Sequence, residues 1–142
     1  MLRTLVAIMA LLVLSATPLR ADVRIVSSPG GQVGAFLDLF EAVRDSGERV
    51  VIDGPCLSAC TLVLSIVPRE RICVTRRAIL GFHAARSVDR RGRFYAEPQA
   101  SEVVLEAYPA PVRDWISRRG GLTSHLLVLR GRELTAMYRP CR

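Results

Sequence analysis

The stretch Val50-Val51-Ile52-Asp53-Gly54-Pro55-Cys56-Leu57-Ser58-Ala59-Cys60-Thr61-Leu62-Val63-Leu64-Ser65-Ile66-Val67 decides the fold. Val50 to Ile52 is apolar and β-branched, so it predicts a buried strand, and Asp53-Gly54-Pro55 stops it. From Ser58 to Val67 the chain is uncharged and apolar on every side, which predicts a deeply buried helix ended by Pro68. A strand feeding a buried helix through a glycine turn is one half of a βαβ unit.

The other half lies upstream. Val23 to Val26 predicts a short strand that runs into Ser27-Ser28-Pro29-Gly30-Gly31. After it, Val33, Phe36, Leu37, Phe40 and Val43 fall at the spacing of an amphipathic helix, and Gly47 ends that helix. Downstream, Arg71 to Thr75 and Ala78 to Phe82 predict further strand. Ala84 to Gln99 is polar and Arg-rich and predicts an exposed loop. Ser101 to Ala107 predicts a helix, and Pro111 opens another that runs through Trp115 to about Arg119, closed by Gly120-Gly121. Leu122 to Met137 carries weaker signals, with a helix over Arg132 to Met137. Strand, helix, strand, helix, strand predicts an α/β fold of βαβ units with a mostly parallel sheet and right-handed crossovers.

Such sheets bind ligands beyond the carboxyl ends of their strands. Three segments should converge there: Ser28 to Gly31, Gly54 to Ser58, and the strand end at His83. Ser58 would place a hydroxyl beside N–H groups that have no intrahelical partner, with the Ala59 N–H facing a developing oxyanion. Taken alone the position also reads as a helix cap. Gly30 and Gly31 allow a tight turn whose N–H groups would complete an oxyanion hole; neither common nucleotide-binding glycine fingerprint is matched. His83, at a strand's carboxyl end, suits a general base for a serine hydroxyl. His125 lies in a Leu-rich stretch and reads as structural.

Taken together, Ser28-Pro29-Gly30-Gly31, an amphipathic helix, a strand, Gly54 through Ser58 opening a buried helix, and a strand ending in His83 resemble the Clp protease proteolytic subunit. Cys56-Leu57-Ser58-Ala59-Cys60-Thr61 and Gly81-Phe82-His83-Ala84 are similar to the small exported bacterial relatives of that peptidase. The resemblance covers about Val23 to Ala84. It implies a crotonase-like fold lacking the full first βα unit, with Ser58 as nucleophile, His83 as base, and Gly30 or Gly31 with Ala59 as oxyanion donors. It also implies an acidic third member near Arg130-Gly131-Arg132, where no Asp stands; Glu133 and Asp114 are the nearby carboxylates.

The chain has 142 residues. Arg3, the uncharged apolar run Leu5 to Ala16, and the polar start after Ala21 make residues 1–21 read as a secretory signal peptide, with too short an apolar core to span a bilayer comfortably. Residues 22–142 then form one domain, expected to be soluble and free of the membrane after cleavage. All 20 basic residues are Arg; without Arg3 and Arg20, 18 face 13 acids, a net +5. The arginines are scattered except for Arg90, Arg91 and Arg93, so a solvated surface is expected rather than a nucleic-acid partner.

Cys56, Cys60, Cys73 and Cys141 suit up to two disulfides in an oxidising compartment, periplasmic or secreted in a bacterium, with three pairings open. A zinc site of Cys56, Cys60, Cys73 and His83 matches no common ligand spacing, so no metal is expected. No cofactor is implied, since neither ATP nor coenzyme A is expected in that compartment. The sequence thus predicts an energy-independent serine hydrolase, most simply a peptidase acting on a peptide or protein, with homo-oligomers open. The alternative is an inactive relative that holds peptide in the same cleft.

Overall fold

A computed structural model describes residues 21–142; the signal-peptide reading of residues 1–21 therefore falls, but for Ala21, outside the described residues. The chain runs through β1 (Asp22–Ile25), α1 (Val33–Ser46), β2 (Arg49–Ile52) and β3 (Pro55–Leu57). A 3-10 turn (Ser58–Leu62) continues as the short α2 (Val63–Ile66), and a second 3-10 turn leads to β4 (Ile72–Val74) and β5 (Ile79–Phe82). Then come β6 (Arg86–Val88), β7 (Phe94–Ala96), α3 (Pro98–Ala107), α4 (Ala110–Ser117), β8 (Leu127–Arg130) and α5 (Gly131–Met137).

The mixed α/β class agrees with the sequence, but the single mostly parallel sheet does not form. Instead there are two small sheets. The first, β1-β2-β4, is wholly parallel; the second, β3-β5-β8, pairs β3 with β5 in parallel and β5 with β8 antiparallel. The cause is a common bend. Three neighbouring chain segments leave the first sheet and enter the second side by side: Ser28 bridges to Cys56 beyond β1, β2 passes into β3 at Asp53-Gly54, and β4 passes into β5 across residues 75–78. Main-chain bonds run unbroken around this corner, from Asp53 N to Ile25 O, Thr75 N to Ile52 O, Ser28 N to Pro55 O and Ile79 N to Gly54 O.

Gly54 is required at the corner. A Cβ built there would lie 2.0 Å from the carbonyl oxygen of Val26, far inside any tolerable contact. Asp53 pins the same corner. Its carboxylate accepts from Arg24 in β1 (2.8 Å) and from Thr75 (2.8 Å) and Arg77 (2.6 and 3.1 Å) between β4 and β5. The Arg77 guanidinium, then Thr75 and Arg24, hold this carboxyl far below the usual carboxylate range.

One apolar core fills the space between these layers, from Phe40, Val50, Ile52 and Val63 to Leu80, Phe82, Trp115, Ile116 and Leu129. Helix α1 buries Phe40 and Val43, whereas Val33 and Leu37 of the same predicted stripe remain exposed with Leu39. Gly47 closes α1 in the left-handed conformation, as predicted.

Three further expectations are corrected. Ser58–Val67 is not one regular helix: its first five residues wind as a 3-10 turn, because Ser58 enters with a left-handed backbone and Cys60 is tied back to Cys56. Residues 84–99 are not simple loop. Asp89 accepts from the N–H groups of Arg91 and Arg93 to build a tight turn, so β6 and β7 pair as an antiparallel ribbon, and Pro98 already starts α3. Leu127–Arg130 is a strand completing the second sheet, and His125 is exposed just before it rather than packed.

The cysteines pair as Cys56–Cys60 and Cys73–Cys141. The set weighed as zinc ligands is thereby consumed, because a disulfide sulfur offers no thiolate. Two disulfides fit an oxidising, non-cytoplasmic setting. No helix among the described residues is long and apolar enough to cross a membrane.

Candidate functional site

The bend carries three backbone segments to one end of the second sheet. Leu57 at the end of β3 lies opposite Gly81 in β5, so Ser58 and His83 both emerge just past the carboxyl ends of paired parallel strands. The Ser28–Gly31 loop runs alongside, since Leu57 N donates to Ser28 O (2.9 Å).

Ser58 has φ +56°, and it is the one non-glycine residue with positive φ among the described residues. A serine held there costs on the order of 1–3 kcal/mol, so its surroundings must impose the conformation. They do so from three sides. The Cys56–Cys60 disulfide spans the residue with a Cα separation of 5.3 Å. Thr61 Oγ1 donates to the Ser58 carbonyl (2.6 Å) and contacts Tyr108 Oη at 2.6 Å. A hydroxyl has a single proton, so Tyr108 is the donor in the second bond. Burial pushes the Tyr108 phenol up to about 12, which keeps that proton in place.

The third contact is Gly30, whose φ is +85°. A Cβ on Gly30 would stand 2.6 Å from Ser58 Cβ and 2.6 Å from Leu57 O. The glycine loop is therefore packed directly against the serine. The Gly30 N–H is engaged by Ser28 Oγ (3.3 Å), whereas the Gly31 and Ala59 N–H groups have no protein acceptor among the described residues. Ser58 does not act as a helix cap, contrary to the simple reading of its position. Leu57 occupies the N-cap, and no side chain bonds the first turn. The Ser58 hydroxyl is left half-buried without a structural partner.

His83 is also half-buried. Its Nδ1 lies 2.7 Å from the Ala84 carbonyl oxygen, which can only accept, so Nδ1 carries the proton. In a neutral ring this bond selects the tautomer whose Nε2 is a proton acceptor. The partner of Nδ1 is thus a backbone carbonyl and not a carboxylate. Glu133 is engaged elsewhere, accepting from Trp115 Nε1 (3.1 Å) and Arg119 (2.5 Å). Asp114 is exposed on α4, and neither acid bonds His83.

Beside His83 opens a largely apolar groove of about 500 Å³, walled by Ala84, Ala96, Pro98, Leu105 and Leu122. Ser101 secures its floor, accepting from Ala85 N (2.8 Å) and donating to Glu97 O (2.9 Å). The arrangement holds an unpartnered hydroxyl at Ser58, an imidazole at His83 whose one side-chain bond among the described residues is to Ala84 O, and free N–H groups at Gly31 and Ala59; the groove starts at Ala84, the residue after His83. Among the described residues no group of three or more His, Cys, Asp or Glu is placed to hold a metal.

Sequence reasoning missed Thr61, Tyr108 and Asp53 as supports. Thr61 was legible as a polar side chain inside an apolar segment; Tyr108, 47 residues away, offered no signal for its partner. No protein-family model matches this chain, and no curated protein matches it.

Proposed function

We propose that the protein is a serine hydrolase related to the Clp protease proteolytic subunit, acting on peptides outside the cytoplasm. Ser58 is the nucleophile, His83 Nε2 accepts its proton, and the Gly31 and Ala59 N–H groups stabilise the oxyanion. The single observation that carries the reading is the strained Ser58. A non-glycine residue in a left-handed turn between strand and helix, with a glycine loop packed on its Cβ, presents its hydroxyl rather than capping. The crotonase-like architecture belongs to the same proposal, supported by the bent strand order and the βαβ crossovers.

In the acylation step Ser58 Oγ bonds the substrate carbonyl carbon and its proton passes to His83 Nε2. The same proton then goes to the leaving amine as the carbon–nitrogen bond breaks. Water repeats the sequence to release the acid. Without a carboxylate on Nδ1 the imidazolium is stabilised only by the Ala84 carbonyl dipole, a weaker partner than the buried Asp of a triad. Slow turnover follows. That same missing carboxylate favours a second reading, in which the groove holds peptide without cleaving it.

Incubation of the purified protein with a fluorophosphonate, read by intact mass, separates the two. One adduct per chain on the wild type, and none on Ser58→Ala or His83→Ala, establishes an activated serine. A folded wild type that takes up no label leaves the peptide-holding reading.

A further inference from the structure

The β6–β7 ribbon meets the site described only at its base, where Ala96 of β7 walls the groove. Its register sets Val88 opposite Phe94 and Ser87 opposite Tyr95, so Val88 and Phe94 share one face and Tyr95 lies on the other. These apolar side chains are out in solvent: Phe94 is 66% exposed, Val88 54% and Tyr95 50%. The ribbon pairs with neither three-stranded sheet.

The same segment holds the one dense group of arginines. Between Arg86 and Ala96 stand four Arg and a single acid, Asp89. Asp89 is already neutralised by Arg93 at 2.8 Å. Arg86 stacks over the Phe94 ring at 4.8 Å, a cation held on the exposed apolar face. Arg90 and Arg91, at the tip, are exposed and make no ion pair among the described residues.

We propose that this ribbon docks the protein on an anionic lipid surface. Val88 and Phe94 enter the interfacial zone, and Arg86 on the same face, with Arg90 and Arg91 at the tip, binds lipid phosphates. The charge selects this occupant. A second copy would bring the same uncompensated arginines and repel. A neutral apolar partner would leave them unpaired. A bilayer offers an apolar acceptor and dense negative charge together, and it is the extended anionic surface bordering the oxidising compartment that the disulfides indicate. The docking is peripheral and needs no spanning helix.

The test is flotation of the full chain with vesicles of phosphatidylcholine alone and with phosphatidylglycerol mixed in. Variants R90E/R91E and F94S carry the same N-terminal segment, so their difference from wild type reads the ribbon alone. Binding is expected on the phosphatidylglycerol vesicles only, lowered about tenfold or more by either variant and reversed by added salt, with unchanged melting temperatures. S58A binds as wild type, which separates this surface from the hydrolase reading. Equal binding to both vesicle types, or wild-type binding by either variant, overturns the proposal. So does preferential, Phe94-dependent capture of single-stranded DNA over vesicles, which would make the ribbon a base-stacking surface.

Discussion

The chemistry of the candidate site depends on one backbone angle at Ser58, and the neighbouring Gly30 tests whether that angle matters. A methyl group on Gly30 would meet Leu57 O at 2.6 Å, and main chain cannot swing aside as a side-chain tip does. The left-handed φ of +85° adds its own cost. Gly30→Ala is therefore expected to destabilise by about 1–3 kcal/mol in urea unfolding and to abolish fluorophosphonate labelling. Gly92→Ala is the control. Gly92 has a similar φ of +76° but no atom within 4 Å of the added carbon, so it should cost about 1 kcal/mol and leave labelling intact. Tyr108→Phe removes the donor to Thr61 while Thr61 keeps its bond to the Ser58 carbonyl. A loss of about 1 kcal/mol and slower labelling are expected. At this scale the sequence was informative where chemistry was local. The glycine pair, the serine and the histidine could be named from their places beside strand ends, but the partner of Thr61 comes from the distant turn after α3, which no spacing rule reaches.

Between elements, the corner joining the two sheets is held by Asp53, and pH reads it. Its folded carboxyl titrates below the unfolded value of 3.8 because Arg77, Thr75 and Arg24 all donate to it. The contribution is therefore complete above about pH 4 and declines as pH falls through the unfolded and then the folded value. Urea midpoints measured downward from pH 6 should drop below about pH 4, and Asp53→Asn should be less stable at pH 6 with a shallower acid slope. An equal slope in both proteins would remove Asp53 from that role. The corner also explains which elements were legible. Val50 to Ile52 and Ala78 to Phe82 are apolar runs whose strand nature shows in the sequence. Their division into two sheets does not, because it rests on a through-space contact between Gly54 and Val26. The β6–β7 ribbon was hidden for a different reason: its strands have three residues each and no buried face, so no alternation of apolar and polar residues marks them.

Across the whole molecule, the two disulfides have different work, and the length of chain each one closes separates them. Cys56–Cys60 joins residues four apart, so in the chain-entropy picture its loss costs about 2 kcal/mol, much of it local to the Ser58 turn. Cys73–Cys141 joins residues 68 apart and closes over half of the described chain, worth about 4 kcal/mol on the same basis. Its surroundings agree with a global role. Val74 bridges to Pro140, Val74 N donates to Arg139 O and Cys141 N to Val74 O, so the last residues are bound along the edge strand of the first sheet. That segment follows Tyr138, whose side chain is buried in the shared core. Releasing it frees α5 and the edge of β4 together. Replacing both Cys73 and Cys141 with Ala should lower the melting temperature by about 15 °C, at a few degrees per kcal/mol for a domain of this size. The Cys56→Ala/Cys60→Ala pair should lower it by about half as much yet eliminate labelling, because the left-handed turn at Ser58 loses one of its supports. Opposite rankings in melting and in labelling are the expected pattern. If labelling instead falls in proportion to stability in both variants, the short disulfide holds the fold and not the Ser58 turn.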